Sequence, residues 1–472
     1  MTHTDRTETA THRAAARTTN RRQFLKLAGA GAMTGALGTG ALGSAAGLVG
    51  DPTPALHRDG NVMRDPSDNT VALHGLNVID PRRANELAPW TKSIEDLITL
   101  ATDPEEGWNA QVIRIPVHPI DVHDPADDYG ELDPGEFTQA ELDSYVENHL
   151  DPAVQACKDR GVYAMVDYHR HRTTDFTTPE LDDEVRMFWE TVAPEYAEAE
   201  HVIYELYNEP VGANRGSWGN QQAEQCMQRW RETAQPWLDI VQDNAPARPV
   251  LVGTPSWDQY TYLAPDYEFD GDNLMYAGHV YAHAGYRPLG EYFGTPADEV
   301  PVFMSEFGFD TTGSSDDFIN GTVDVEGQQF QTFFEEYDHV SSTAWIMSHF
   351  WSPPMYVEQD GASNYEQLTG FGEWTQSFLE SKTDVNRPGE GTPSTTPPDT
   401  TETPSWPDGA TDPDGDGLYE DLSGNDDLDF PDVNTLFQNT DSQQAQANAA
   451  FYDFDGDGDV DLQDVLALFE TV

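Results

Sequence analysis

A chain of 472 residues that is 37% hydrophobic and 11% aromatic can bury a large core and leave material for one further module, which excludes a disordered protein. Its formal net charge of −61, with Lys only at 26, 92, 158 and 382, argues against nucleic acid as a partner. The acids are spread along the whole chain and read as a halophile's surface, because at molar salt the Debye length shrinks to about 3 Å and carboxylate self-repulsion is screened.

Near the N-terminus, Asn20-Arg21-Arg22-Gln23-Phe24-Leu25-Lys26 precedes a weakly apolar Gly/Ala-rich stretch that runs to Gly50. Paired arginines ahead of such a stretch read as a twin-arginine signal peptide over residues 1–50, and a segment with so few large apolar residues inserts poorly as a membrane span. The expectation is an extracellular protein, exported folded by the twin-arginine pathway, with no membrane insertion after signal removal.

Residues 51–386 form the main predicted domain. A short hairpin is expected over 56–65, turning at Asp59-Gly60. Eight apolar runs then read as strands: 71–79, 110–118, 162–169, 201–208, 249–255, 273–281, 301–308 and 342–350. Between them, 141–160 and 221–242 carry apolar residues at three and four spacing, the pattern of crossover helices. Eight β/α units within about 330 residues predict an α/β fold, a (β/α)8 TIM barrel. An open doubly wound sheet is the runner-up, disfavoured because no Gly-rich phosphate loop follows the first strand. Cys157 and Cys226 fall on separate predicted helices, and their spacing gives no support to a disulfide.

Residues 387–407 (RPGEGTPSTTPPDTTETPSWP) read as an extended Thr/Pro linker. The small acidic module beyond it, 408–472, has no Lys or Arg and repeats itself, 421–437 (DLSGNDDLDFPDVNTLF) against 453–469 (DFDGDGDVDLQDVLALF). In the second repeat Asp453, Asp455, Asp457, Asp459, Asp461 and Asp464 take positions one, three, five, seven, nine and twelve of an EF-hand-type calcium loop, with Gly458 at six for the sharp turn. The first repeat places Asp421, Ser423, Asn425, Asp427, Asp429 and Asp432 at the same positions. It is the weaker Ca²⁺ set, with a serine at position three and Asp426 where the glycine belongs. The rival reading is a solvated acidic face.

Residues capable of chemistry gather where the predicted strands end. Glu209, in Asn208-Glu209-Pro210, follows an apolar run, and Glu306 leaves the run 301–305 in the same fashion. A general acid at neutral pH needs a raised pKa, which a partly dry site beside a second carboxylate supplies. Arg114 closes the second strand with His118 beyond it, His169 the third, and His279 and Tyr281 the sixth. Trp345 lies on the eighth, with Trp351 six residues later. One strand-end histidine would mean little; the coincidence on the face where a β/α barrel builds its site is the signal.

Over roughly residues 54–383 this set, namely Arg114, His169, Asn208, Glu209, His279, Tyr281, Glu306 and Trp345, is similar to the polar and aromatic positions of glycoside hydrolase family 5, the cellulase-like retaining β-glycosidases. The resemblance implies Glu209 as acid/base and Glu306 as nucleophile. It implies that Arg114 and Tyr281 hold Glu306 ionised by lowering its pKa, and that Asn208 bonds the sugar 2-hydroxyl. His169 and His279 would bond hydroxyls or brace the two Glu, and Trp345 would face the sugar. Trp351, Trp257 and Trp218 are further sugar-platform candidates. His118, His171 and His349 have no assigned role and no metal-ligand pattern. The expected activity is endo cleavage of β-1,4-glucan polysaccharide with no cofactor for catalysis. β-Mannanase or another β-glucanase is the alternative within the fold, and a non-catalytic carbohydrate-binding or scaffold protein the alternative from another class. The C-terminal module resembles a dockerin, which implies structural Ca²⁺ and docking onto a cohesin-like partner; with the halophile-like acidic surface the whole chain reads as haloarchaeal type.

Overall fold

The computed structural model describes residues 53–87, 92–121, 130–170, 175–211, 220–282, 285–359, 364–383 and 385–388, and toward the C-terminus 406–407, 410–411, 418–425, 430–440, 445, 451–452, 454, 460, 464–465 and 468–469. The predicted signal peptide, linker positions 389–405, His171, Trp218, and the loop residues Asp427, Asp429, Asp453, Asp455, Asp457, Asp459 and Asp461 lie outside the described residues. No helix among the described residues is long and apolar enough to cross a membrane.

The expected hairpin forms from β1 (His57–Asp59) and β2 (Val62–Arg64), paired antiparallel across Gly60. Gly60 sits at φ 61, which a residue without Cβ reaches at no steric cost. A third strand, β3 (Thr70–Val71), pairs with β2. The run 71–79 therefore divides: Val71 belongs to this small sheet, and the first barrel strand is β4 (His74–Asn77). The division has a packing reason. Leu56, Met63, Val71 and Leu73 bury themselves with Val112, Tyr163, Met275 and Phe303 at the starts of barrel strands, so the small sheet closes the N-terminal end of the barrel.

The barrel continues through β5 (Val112–Val117), β6 (Tyr163–Tyr168), β7 (Val202–Glu205), β8 (Val250–Val252), β9 (Leu274–Tyr281), β10 (Val302–Gly308) and β11 (Ser341–Ala344), all parallel, and closes by pairing β11 with β4. Each predicted run coincides with one barrel strand, the last strand beginning one residue before its run, at Ser341. Runs 201–208, 249–255 and 342–350 overshoot their strands because the apolar character persists into the loops that carry Asn208, Thr254 and Trp345. The segment 141–160 folds as Gln139–Tyr145, a wider turn Val146–Leu150, and Asp151–Arg160, opened by a Thr138/Glu141 capping box. Segment 221–242 is the helix Asn220–Asn244. Cys157 and Cys226 are both buried, and neither is in a disulfide.

The C-terminal residues have an apolar cluster of their own, in which Leu422, Val433, Leu436, Phe451, Tyr452, Val460 and Leu468 pack beside the helix Phe430–Phe437. Asp421, Asp432 and Asp464 are wholly buried. In the first loop Asp421 Oδ1 accepts the Asn425 backbone N–H at 3.0 Å, Asp421 Oδ2 the Thr411 hydroxyl at 2.9 Å, and Asp432 Oδ1 the Ser423 N–H at 2.8 Å. Positions one and twelve thus cinch the loop, and a set of hard oxygen donors fits Ca²⁺ chemically.

Candidate active site

Arg114 stands at the centre of the barrel mouth. β5 carries it inward, wholly buried, and its five N–H donors face six oxygens on five residues. Nε and Nη2 grip Glu205 at 2.5 and 3.0 Å, Nη2 also meets Asn208 Oδ1 at 2.8 Å and Asp167 Oδ2 at 3.0 Å, and Nη1 meets Asn77 Oδ1 at 3.0 Å and Glu306 Oε1 at 2.8 Å. A planar fork suits this work as a lysine would not. Burial, which opposes any charge here, is outweighed by Asp167, Glu205 and Glu306, and the guanidinium's pKa stays well above its ordinary value.

Glu306 is aimed at the mouth by an irregularity in its own strand. The pairing of β10 shifts register with both β9 and β11 just before Glu306 and Phe307, the kind of bulge that re-aims a side chain. Its second oxygen accepts the Tyr281 hydroxyl at 2.7 Å. Burial is the largest influence on Glu306 and, with Glu209 beside it, leaves its pKa above the ordinary carboxylate value, although Arg114 and the Tyr281 hydroxyl pull it down. The expected lowering by Arg114 and Tyr281 is thus real in sign and too small to win. What those donors do is limit the rise and fix both oxygens in place.

Across the mouth, Glu209 Oε1 lies 3.0 Å from His279 Nδ1. Burial pushes the His279 pKa down to about 4, so the ring is neutral and carries one N–H. The Ser305 hydroxyl donates to Glu205 Oε1 at 3.0 Å, so its oxygen accepts from His279 Nε2 at 2.9 Å. That pattern puts the ring proton on Nε2 and turns the Nδ1 lone pair toward Glu209.

His169 Nδ1 meets the buried Asp167 at 2.7 Å, and its ring lies parallel to Trp345 at 5.8 Å. Trp345 in turn stacks on Trp351 at 6.2 Å, with the Arg83 guanidinium over the Trp351 ring at 5.3 Å. His169, Asn208, Glu209, Trp257, His279, Tyr281, Glu306, Trp345 and Trp351 share one cavity of about 690 Å³. Arg114 lies beneath it. His118 and His349 do not line it: His118 bonds Glu131 at 2.8 Å with its pKa pushed to about 4 by burial, and the buried His349 stands edge-on to Tyr365.

Sequence reasoning missed Asn77, Asp167, Glu205, Asp258 and Ser305 under the site, and the half-exposed rings of Phe318 and Phe350 at its rim. A signal for two of them existed. Asp167 and Glu205 are lone acids within otherwise apolar strands, and a buried charge demands a partner.

The sequence model of the family Cellulase (glycosyl hydrolase family 5) matches residues 65–350, more than half of the chain. The chain belongs to glycosyl hydrolase family 5. Among similar proteins are Endoglucanase A of Evansella cellulosilytica, 27% identical over 243 residues (50% of this chain, 44% of that protein), and Endoglucanase A of Butyrivibrio fibrisolvens, 28% identical over 280 residues (59% and 56%). The chain spans about half the length of these curated relatives. The barrel also superposes on a β-glucanase from Saccharophagus degradans, solved in complex with cellotetraose, with a TM-score of 0.54 at 21% identity, covering 70% of this chain and 94% of that one. The catalytic domain of an endoglucanase from Thermobifida fusca gives a TM-score of 0.51 at 20% identity, covering 69% and 97%.

Proposed function

We propose that this chain is a secreted endo-β-1,4-glucanase that cleaves β-glucan by double displacement, with Glu306 as nucleophile and Glu209 as acid/base. One observation carries the mechanism: a carboxyl oxygen of Glu209 and one of Glu306 lie within 4.8 Å of each other. Direct attack in retaining enzymes uses carboxyls about 5 to 5.5 Å apart, whereas inversion needs about 6.5 to 9.5 Å to seat a water. In the first step a Glu306 oxygen bonds the anomeric carbon, the glycosidic C–O bond breaks, and Glu209 gives its proton to the leaving oxygen. In the second, Glu209 takes a proton from the water that displaces Glu306. His279, with its Nδ1 3.0 Å from Glu209 Oε1, orients that carboxyl for the first step. Arg114 orients Asn208, which supports its bonding the sugar 2-hydroxyl, and the stacked Trp345 and Trp351 support an apolar platform for the sugar ring.

The endoglucanase names of the relatives and the cellotetraose of a structural neighbour favour β-1,4-glucan over mannan. The paired arginines support export, and the acidic composition supports activity at high salt. For the module, the second repeat supports a structural Ca²⁺ held by Asp453, Asp455, Asp457, Asp459, Asp461 and Asp464, on a dockerin-like unit that would offer its helices to a cohesin-like partner. The deciding experiment is reducing-sugar release from soluble cellulose, mannan and mixed-linkage glucan in molar salt, with Glu306→Ala as control. Preference for mannan would move the reading to β-mannanase, and silence on every substrate would sink the hydrolase.

A further inference from the structure

We propose that Asp258 is a positioning residue that clamps the backbone of Glu209, and through it the acid/base carboxyl; the inference rests on the double-displacement reading above. Glu209 has φ 50, a left-handed conformation that is strained for a residue with a side chain. Such a conformation persists where the surroundings hold it. Here the Glu209 backbone N–H donates to Asp258 Oδ2 at 2.9 Å. The other oxygen, Oδ1, accepts the Thr254 N–H at 2.5 Å, so one carboxylate ties the segment after β7 to the segment after β8.

Asp258 reaches this position through a turn of its own. Ser256, Trp257 and Asp258 have φ of 65, 57 and 54, a left-handed turn closed by the Asp258 N–H to Thr254 O at 2.9 Å. Four of the seven left-handed non-glycine residues among the described residues therefore meet at this one contact, which marks it as a built feature. Gly253 fits the same arrangement: a Cβ there would lie 2.6 Å from Tyr207 O and 2.9 Å from Asp258 Oδ1. The turn also carries Trp257 to the wall of the catalytic cavity, while Asp258 is wholly buried and touches no cavity space. Alignment of Glu209 and placement of an aromatic wall thus depend on the same three residues. Asp258 Oδ2 also lies 3.6 Å from His279 Nε2, so the clamp borders the histidine that faces Glu209.

Removing the carboxyl group takes this acceptor from the buried Thr254 N–H and the part-buried Glu209 N–H and frees Glu209 to relax, and a misplacement of about 1 Å at a reacting group costs on the order of 10²-fold. The test uses the full chain in molar salt, with wild type, Glu209→Ala, Asp258→Ala and Asp258→Asn acting on soluble cellulose and on 2,4-dinitrophenyl β-cellobioside, with and without sodium azide. The aryl leaving group departs without a proton, and azide attacks the glycosyl-enzyme without a base. Asp258→Ala is expected to lose about 10²-fold in kcat on cellulose with KM changed less than about threefold. On the aryl glycoside it should be accelerated by azide with release of the β-cellobiosyl azide, as Glu209→Ala is. Asp258→Asn, which keeps the volume and one acceptor, should lie between and respond to azide.

A cellulose kcat within about threefold of wild type for Asp258→Ala overturns the proposal, and so does an equal loss on both substrates with no azide response. Thermal unfolding of each variant accompanies the kinetics, and failure of both Asp258 variants to fold assigns the residue to stability and overturns the positioning role. Wild type inactive on both substrates, or Glu209→Ala without azide rescue, fails the double-displacement reading first and takes the inference with it.

Discussion

The barrel mouth and the C-terminal module both bury carboxylates, and they compensate them in opposite ways. At the mouth Asp167, Glu205 and Glu306 converge on one guanidinium, Arg114. In the module there is no Lys or Arg, and the contacts of Asp421 and Asp432 include backbone N–H groups and the Thr411 and Ser423 hydroxyls. A buried anion needs an opposite charge, a bound proton or strong hydrogen bonds. The barrel supplies its own cation and so forms its site as it folds. On the proposed Ca²⁺ reading, the module offers oxygen donors and the positive charge would come from an ion, whose binding would then be part of its folding.

The sharpest break in this comparison comes from Glu306→Ala, expected to lower kcat on glucan about 10⁴-fold or more while leaving Ca²⁺ binding by the full chain unchanged. Calorimetry and sugar release on the same preparation check both halves. Next in size, Arg114→Met strands three buried acids without their cation and should cost about 3 to 5 kcal/mol of barrel stability, read from denaturant unfolding at constant salt. A loss below about 1 kcal/mol would show that bound protons, and not Arg114, carry the compensation.

Asp457→Ala probes the other side. It should abolish the strongest heat of Ca²⁺ binding in high KCl and leave glucanase kcat within about twofold. Unchanged heat would return the module to a solvated acidic face. The smallest expected effect is in pH. Burial first, then Glu306 and Glu209, raise Asp167 from an ordinary 3.8 to about 7, with Arg114 opposing. A folded pKa above the unfolded one gives stability that is full below the unfolded value and lost as pH rises through the folded one. Tm should therefore fall by a few °C between pH 5 and pH 8 at constant salt, and Asp167→Asn should flatten that slope. A slope unchanged in the variant would place the titrating group elsewhere.

Much of the barrel was legible because its code is local. Eight apolar runs, two helical periodicities and a Gly60 turn each announce an element within a dozen residues, and β-strand ends in a parallel barrel share a face by topology. Hence Arg114, His169, Glu209, His279, Tyr281 and Glu306 could be grouped before their distances were known. The buried layer was not legible. Glu205 is 91 residues from Arg114 and Ser305 is 100 from Glu205, and nothing in either neighbourhood names the other. Asp258 was hidden further, since its role depends on three consecutive left-handed residues that no local propensity predicts.

The sequence by itself determined which chemistry was on offer: two glutamates leaving buried strands, with the polar and aromatic residues that accompany them at one end of a barrel, and an alternating series of acids in a separate module. Only the tertiary structure decided how that chemistry is tuned. A pKa, a tautomer and an attack distance depend on burial and on partners far along the chain. It took folding to put Glu209 and Glu306 within 4.8 Å, to neutralise His279 between them, and to show burial outweighing Arg114 at Glu306.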